Sequence, residues 1–305
     1  MDYYVKPSSD IFFKYLLGSE NNKDLLLSFI NAVNLDSELH RIVNVEIKNP
    51  FNIKDYSVDK ESILDIKATD ESGRIYDIEM QTKGNQNFIK RSLYYWAKLY
   101  ANQLIDNNPY TKLKPTICIN ILDFQLFKDI SQLHTCFLLS EKNNPDYVLT
   151  DHIIFHFLEL TKLNFNTKSK NKLYNWLTYF LIEGKEEKIM EILIKEDNDI
   201  AKAHEEYKKF THNDKLREIY EARLKYQRDY NTDILEAEQK GIEKGIEKGI
   251  EKGLKKGIEK GSVKEKIEMT RKLLAKNLEL DFIAEITQLS IEELKALKNK
   301  TQNDQ

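Results

Sequence analysis

The sequence predicts an α/β fold, a mixed sheet flanked by helices, that gives way to an all-helical C-terminal extension. Three observations predict it. All five prolines, at 7, 50, 109, 115 and 145, fall before residue 146, so turn punctuation is confined to the first half. That half interleaves stretches of period two with stretches of helical period. Beyond it, residues 166–240 hold no proline and read as helix after helix, and six of the ten glycines recur every fourth residue from 241 to 261.

Taken in order, residues 10–17 (DIFFKYLL) and 23–33 (KDLLLSFINAV) have the spacing of amphipathic helices, with Ser9 or Asp10 placed to cap the first. Residues 41–48 (RIVNVEIK), 62–69 (SILDIKAT) and 75–82 (IYDIEMQT) alternate apolar with polar side chains, the pattern of half-buried strands. Over 86–106 the apolar positions Ile89, Leu93, Trp96 or Ala97, Tyr100 and Leu104 follow helical spacing. Residues 116–123, 133–139 and 152–160 again read as strands. The expected division is a core at 1–165, a helical extension at 166–240, a GIEK repeat at 241–261 and a small helical tail at 262–305.

Composition narrows the function. Lys plus Arg (47) nearly cancels Asp plus Glu (50), and the formal charge of −3 excludes a binder that relies on bulk positive charge. Contact with nucleic acid would need a local patch. Cys118 and Cys136 are too few for a disulfide scaffold and read as buried thiols in a reducing compartment. The N-terminus shows no basic region followed by an apolar one, and no apolar run approaches the roughly 18 residues of a membrane span. The expectation is a soluble, cytoplasmic protein.

The stretch around Ser72 carries the chemistry. A three-residue loop of Glu71, Ser72 and Gly73 fits a type I turn closed by glycine in the left-handed region. A hairpin centred on Ser72 sets Asp65 opposite Glu79. Alternation then puts Ile63, Asp65 and Lys67 on one face with Asp77, Glu79 and Gln81. The opposite face, with Leu64, Ile66, Ala68, Tyr76, Ile78 and Met80, is the candidate core. Like charges directly opposite each other destabilise a sheet. A divalent cation would offset that, since Mg²⁺ is commonly held by one or two carboxylates plus water and phosphate. The alternative is an exposed sheet face on which acids coincide.

Asp65, Glu79, Met80 and Gln81 on two hairpin strands after a helix resemble the PD-(D/E)xK nuclease signature. Three segments, SDIFFKYLLGSENNKDLLLSFINAV, ILDIKATDESGRIYDIEMQ and FIKRSLYYWAKLYANQL, narrow the resemblance to the Rpn recombination-promoting nucleases, PD-(D/E)xK nuclease family transposases, over roughly residues 7–235. The resemblance implies a restriction-endonuclease-like core and a Mg²⁺- or Mn²⁺-dependent DNA endonuclease. Asp65 and Glu79 would be metal ligands, and the Met80 carbonyl would lie near the ion. Gln81 stands where the superfamily usually has lysine and cannot supply its charge. Lys83 or Lys67, on the same face by parity, could supply it instead. Arg91, Tyr94, Tyr95 and Lys98 on the following helix are candidates for phosphate contacts, or a polar face with aromatic packing. Asp10 and Lys14, one helical turn apart, either approach the site or form an i,i+4 pair.

Other signals are weaker. His152 and His156 sit in a strand-like stretch, where positions four apart share a face but lie about 13 Å from each other, too far for a shared metal. No glycine-rich phosphate loop and no Ser/His/Asp set can be singled out. The GIEK tract, if helical, spans about 32 Å with an Ile/Leu stripe drifting about 40° per repeat. Its six glycines cost roughly 1 kcal/mol each against alanine. It reads as a semi-flexible spacer or as a helix held by self-association. The tail suggests two helices around a turn at 288–290, with a Ser290/Glu293 capping box. That is a helix-turn-helix able to bind DNA, or a hairpin for packing or dimerisation.

The function expected is phosphodiester hydrolysis by metal-activated water, in DNA recombination, mobile-element biology or defence against foreign DNA. DNA is the expected partner, with a homodimer through the helical C-terminal region and no small-molecule cofactor. One rival is a catalytically weak or inactive DNA-binding or protein-interaction module on the same fold. Another is an RNA or nucleotide phosphodiesterase, for which no single-strand RNA module is visible.

Overall fold

The computed structural model describes residues 3–51, 66–82, 84, 87–104, 108–164 and 171–303. The chain divides into two compact units, Met1–Gln227 and Arg228–Gln305. Among the described residues, no helix is long and apolar enough to cross a membrane.

The first unit is built on a six-stranded sheet of β1 (Val45–Ile47), β2 (Ile66–Asp70), β3 (Ile75–Gln81), β4 (Thr116–Leu122), β5 (His134–Ser140) and β6 (Val148–Glu159), in the order β1-β2-β3-β4-β6-β5. β3, β4 and β6 run parallel to their neighbours at the centre, and the outer pairings are antiparallel. Both faces are covered, so TICINIL in β4 is buried along its whole length.

Two cores sit on the two faces. Ile66, Ala68, Tyr76, Ile78, Met80, Ile117 and Ile119 point to the larger one. Its other side is supplied by α1 (Asp10–Gly18), α2 (Lys23–Asp36), α4 (Lys172–Ile182), α5 (Glu187–Glu196), α6 (Asn198–His212) and the start of α7 (Asp214–Ala275). Trp176 stacks on Phe180, with Phe29 edge-on to both. The smaller core sets Cys118, Leu122, Phe155 and Phe157 beneath Phe88 and Trp96 of α3 (Phe88–Ala101), the crossover between β3 and β4.

Several expectations are corrected. The strand expected over 41–48 shortens to β1, because the Asn31 amide donates to Ile42 O (2.9 Å) and accepts from Ile42 N (2.8 Å) in place of a neighbouring strand. On α3 the stripe through Ile89 and Leu93 faces solvent, and Phe88 and Ser92 are buried instead. The sheet surface there carries Glu79 and Asn120, and α3 answers with polar groups: Ser92 Oγ donates to Asn120 Oδ1 at 3.3 Å. Cys118 is buried as expected, but Cys136 is exposed, because β5 is the sheet edge.

In α7 the repeat is helical, with Ile242, Ile246, Ile250, Leu254 and Ile258 exposed. In the second unit α8 (Leu280–Thr287) and α9 (Ile291–Asn303) follow it, with Ile283 and Leu294 buried. Gln288 is left-handed at φ 53° and ends α8. Ser290 caps α9: its N–H donates to Glu293 Oε2 (2.8 Å) and its Oγ accepts from Glu293 N (3.2 Å).

Candidate active site

The hairpin turn forms as its residues require. Gly73 has φ +85°, where a side chain is disfavoured. Its N–H donates to Asp70 O (3.0 Å), while Asp70 Oδ1 accepts from Ser72 N (2.9 Å), Ser72 Oγ (2.7 Å) and Arg74 N (2.9 Å). The observed pairs Ile66–Ile78, Lys67–Asp77, Ala68–Tyr76 and Thr69–Ile75 have the expected register.

That register commits Asp77, Glu79 and Gln81 to the α3 side of β3. The surface there is closed: Asp77 is 4% exposed and Glu79 is 7% exposed. Arg91 Nη2 of α3 donates to Glu79 Oε2 at 3.2 Å, and Gln81 Nε2 donates to the same oxygen at 3.3 Å. The Arg91 guanidinium also lies over the Phe88 ring, 5.4 Å from its centroid. Asp77 is different. Among the described residues its Oδ1 is buried without a hydrogen-bond partner, although Lys67 stands directly opposite in the register. Burial, reinforced by the charge of Glu79 and opposed by Lys67, pushes the Asp77 carboxyl up to about 7.

Asp65 and Lys83 lie outside the described residues. Met80 turns its side chain into the larger core. Lys98 is exposed and Tyr95 is half-buried, edge-on to the exposed Tyr94 at 5.5 Å. Asp10 Oδ2 accepts from Arg223 Nε of α7 at 2.7 Å, and its Oδ1 from Ile11 N at 2.8 Å. It therefore anchors α7 to the start of α1.

Two roles were missed in the sequence. Arg91, a candidate phosphate contact by sequence, is also the cation beside Glu79. Phe88, Ser92 and Trp96 marked that inward face, one position away from the stripe through Ile89 and Leu93. Strand parity places Asp77 on the acidic face, but its burial there is set by α3 and is not legible in the sequence.

A second polar cluster lies on the other face of the sheet. His134 Nδ1 is 2.6 Å from Asp36 Oδ2, His134 Nε2 is 3.0 Å from His156 Nδ1, and Ser37 Oγ is 3.3 Å and 3.4 Å from those two nitrogens. Burial and the neighbouring His134 push His156 down to about 3, so its ring is neutral. His152 is not part of this cluster. It bonds Tyr100 OH of α3 (2.9 Å), and the register of β5 on β6 shifts between the levels of the two histidines. Among the described residues no three His, Cys, Asp or Glu side chains form a metal-binding group.

A mixed sheet with a carboxylate-bearing hairpin, followed by a basic helix that closes over the acids, defines a nuclease-like α/β protein. A family model described as PD-(D/E)XK nuclease family transposase matches residues 7–237, and the chain belongs to that family. No curated protein and no solved structure matches it.

Proposed function

We propose that this protein is a metal-dependent DNA endonuclease acting through Asp65 and Glu79. The observation that carries the reading is Glu79 itself: a buried carboxylate at the C-terminal end of β3, on the family's hairpin, with a guanidinium at 3.2 Å. The residues fit a hard cation, because the donors are carboxylate oxygens and Asp77 Oδ1 is buried with no hydrogen-bond partner among the described residues. Bound Mg²⁺ or Mn²⁺ would polarise the phosphodiester and lower the pKa of the attacking water.

The chain's own side chains supply the rest. Asp65 and Glu79 hold the cation. Arg91 provides the positive charge that Gln81 cannot, set against the charge developing on phosphate. The Gln81 amide fixes the carboxylate of Glu79. Lys83, Tyr95 and Lys98 contact the DNA backbone, with Asp10 and Lys14 as auxiliary groups. The cellular setting is DNA recombination, mobile elements or defence in the cytoplasm, with a homodimer through the helical C-terminal region.

One observation favours a second reading, a non-catalytic binding module. Arg91 and Gln81 both donate to Glu79 Oε2, an arrangement that would equally suit a structural carboxylate. Supercoiled plasmid incubated with wild type, Asp65→Ala and Glu79→Ala, in Mg²⁺ or EDTA, separates the two. Nicking that needs the metal and both carboxylates supports the nuclease. Retention of DNA in a gel shift with no nicking supports the module.

A further inference from the structure

We infer that Asp77 is a direct ligand of the divalent cation at the Glu79 site, a carboxylate that shares the ion with Glu79. The inference rests on the metal-dependent reading above and deepens it.

Asp77 and Glu79 are two apart on β3, so they share a face with Cα atoms about 6.6 Å apart, within reach of one hard cation. Both are almost wholly buried beneath α3. Among the described residues Glu79 Oε2 has two donors, whereas Asp77 Oδ1 has none. The strand on its other side offers Cys118 and, beyond that, Phe155. A carboxylate oxygen sealed off from water and from donors is unstable unless a proton or a cation meets it. A neutral residue would have been the cheaper occupant if packing were the only demand at this place. An oxygen-seeking cation accounts for the acid, its orphaned oxygen and its position beside Glu79 together.

The test is isothermal titration of the full-length chain with Mn²⁺, alongside thermal melting with and without Mn²⁺ and plasmid nicking. The variants are Asp77→Asn, which keeps the shape, Asp77→Ser, which shortens the group, and Asp65→Asn. Both Asp77 variants should bind Mn²⁺ at least tenfold more weakly than wild type. Without metal, Asp77→Asn should melt at or above wild type, because it removes the unpartnered oxygen. Wild-type Mn²⁺ affinity in Asp77→Asn would overturn the inference. So would a metal-free melting temperature several degrees below wild type, which would give Asp77 a structural partner. If Asp65→Asn loses Mn²⁺ and nicking while Asp77→Asn keeps Mn²⁺, only this inference fails. If wild type neither binds Mn²⁺ nor nicks, the metal-dependent reading fails with it.

Discussion

Arg91 and Glu79 meet across the α3–sheet contact, one partly exposed and the other buried. Arg91→Ala should lower the nicking rate about a hundredfold, the scale of one lost charge-stabilising donor. Arg91→Lys should recover part of it, with circular dichroism confirming an intact fold. A nicking rate unchanged in Arg91→Ala would remove the residue from the site. His156 gives a pH prediction at the same scale. Its folded pKa of about 3 lies below the unfolded value near 6.5, so the native state binds fewer protons between them. Stability is therefore full above pH 6.5 and falls as pH drops toward 3, by up to about 1.4 kcal/mol per pH unit. Asp36, hydrogen-bonded to His134 and held low, loses its own contribution over the acid end of the same range. Urea midpoints of wild type and His156→Phe, compared across pH 7 to 4, isolate the histidine. Parallel curves would show that it does not titrate in this way.

At the scale of elements, the hairpin and the glycine tract make opposite demands on glycine. Gly73 occupies the left-handed region with only ordinary contacts from Lys114 around it. Gly73→Ala should therefore cost about 1–2 kcal/mol from backbone conformation alone, read by chemical denaturation. The helical glycines from Gly241 to Gly261 meet nothing within 4 Å of an added Cβ. Alanine at each should stabilise α7 by roughly 1 kcal/mol, seen as higher far-ultraviolet ellipticity on heating. A loss of helix would mean that the tract needs bare backbone against something it packs on.

At the scale of the whole molecule, the first unit holds the sheet, both cores and every described candidate site residue. A chain of residues 1–237, the span matched by the family, should melt cooperatively and keep metal-dependent nicking. A truncated chain that folds but no longer nicks would assign the tail an essential role in DNA cleavage.

The sequence by itself determined the order of helices and strands, the Gly73 turn, the observed β2–β3 register and the Ser290 capping box. Each is local: a period of two or 3.6 residues, a backbone region open to glycine, or a hydroxyl three residues from a carboxylate. It also placed Asp77, Glu79 and Gln81 on one face, since strand parity needs no tertiary information. Tertiary structure decided which face of α3 is buried. A helix that packs on polar strand positions buries polar residues, and hydropathy alone points to the wrong stripe there. That docking closed the acidic face, gave Glu79 its guanidinium and, among the described residues, left Asp77 Oδ1 without a hydrogen-bond partner. On the other face, tertiary structure joined Asp36, His134 and His156, nearly a hundred residues apart between the first two, because the pairing of β5 with β6 under the end of α2 brings them together.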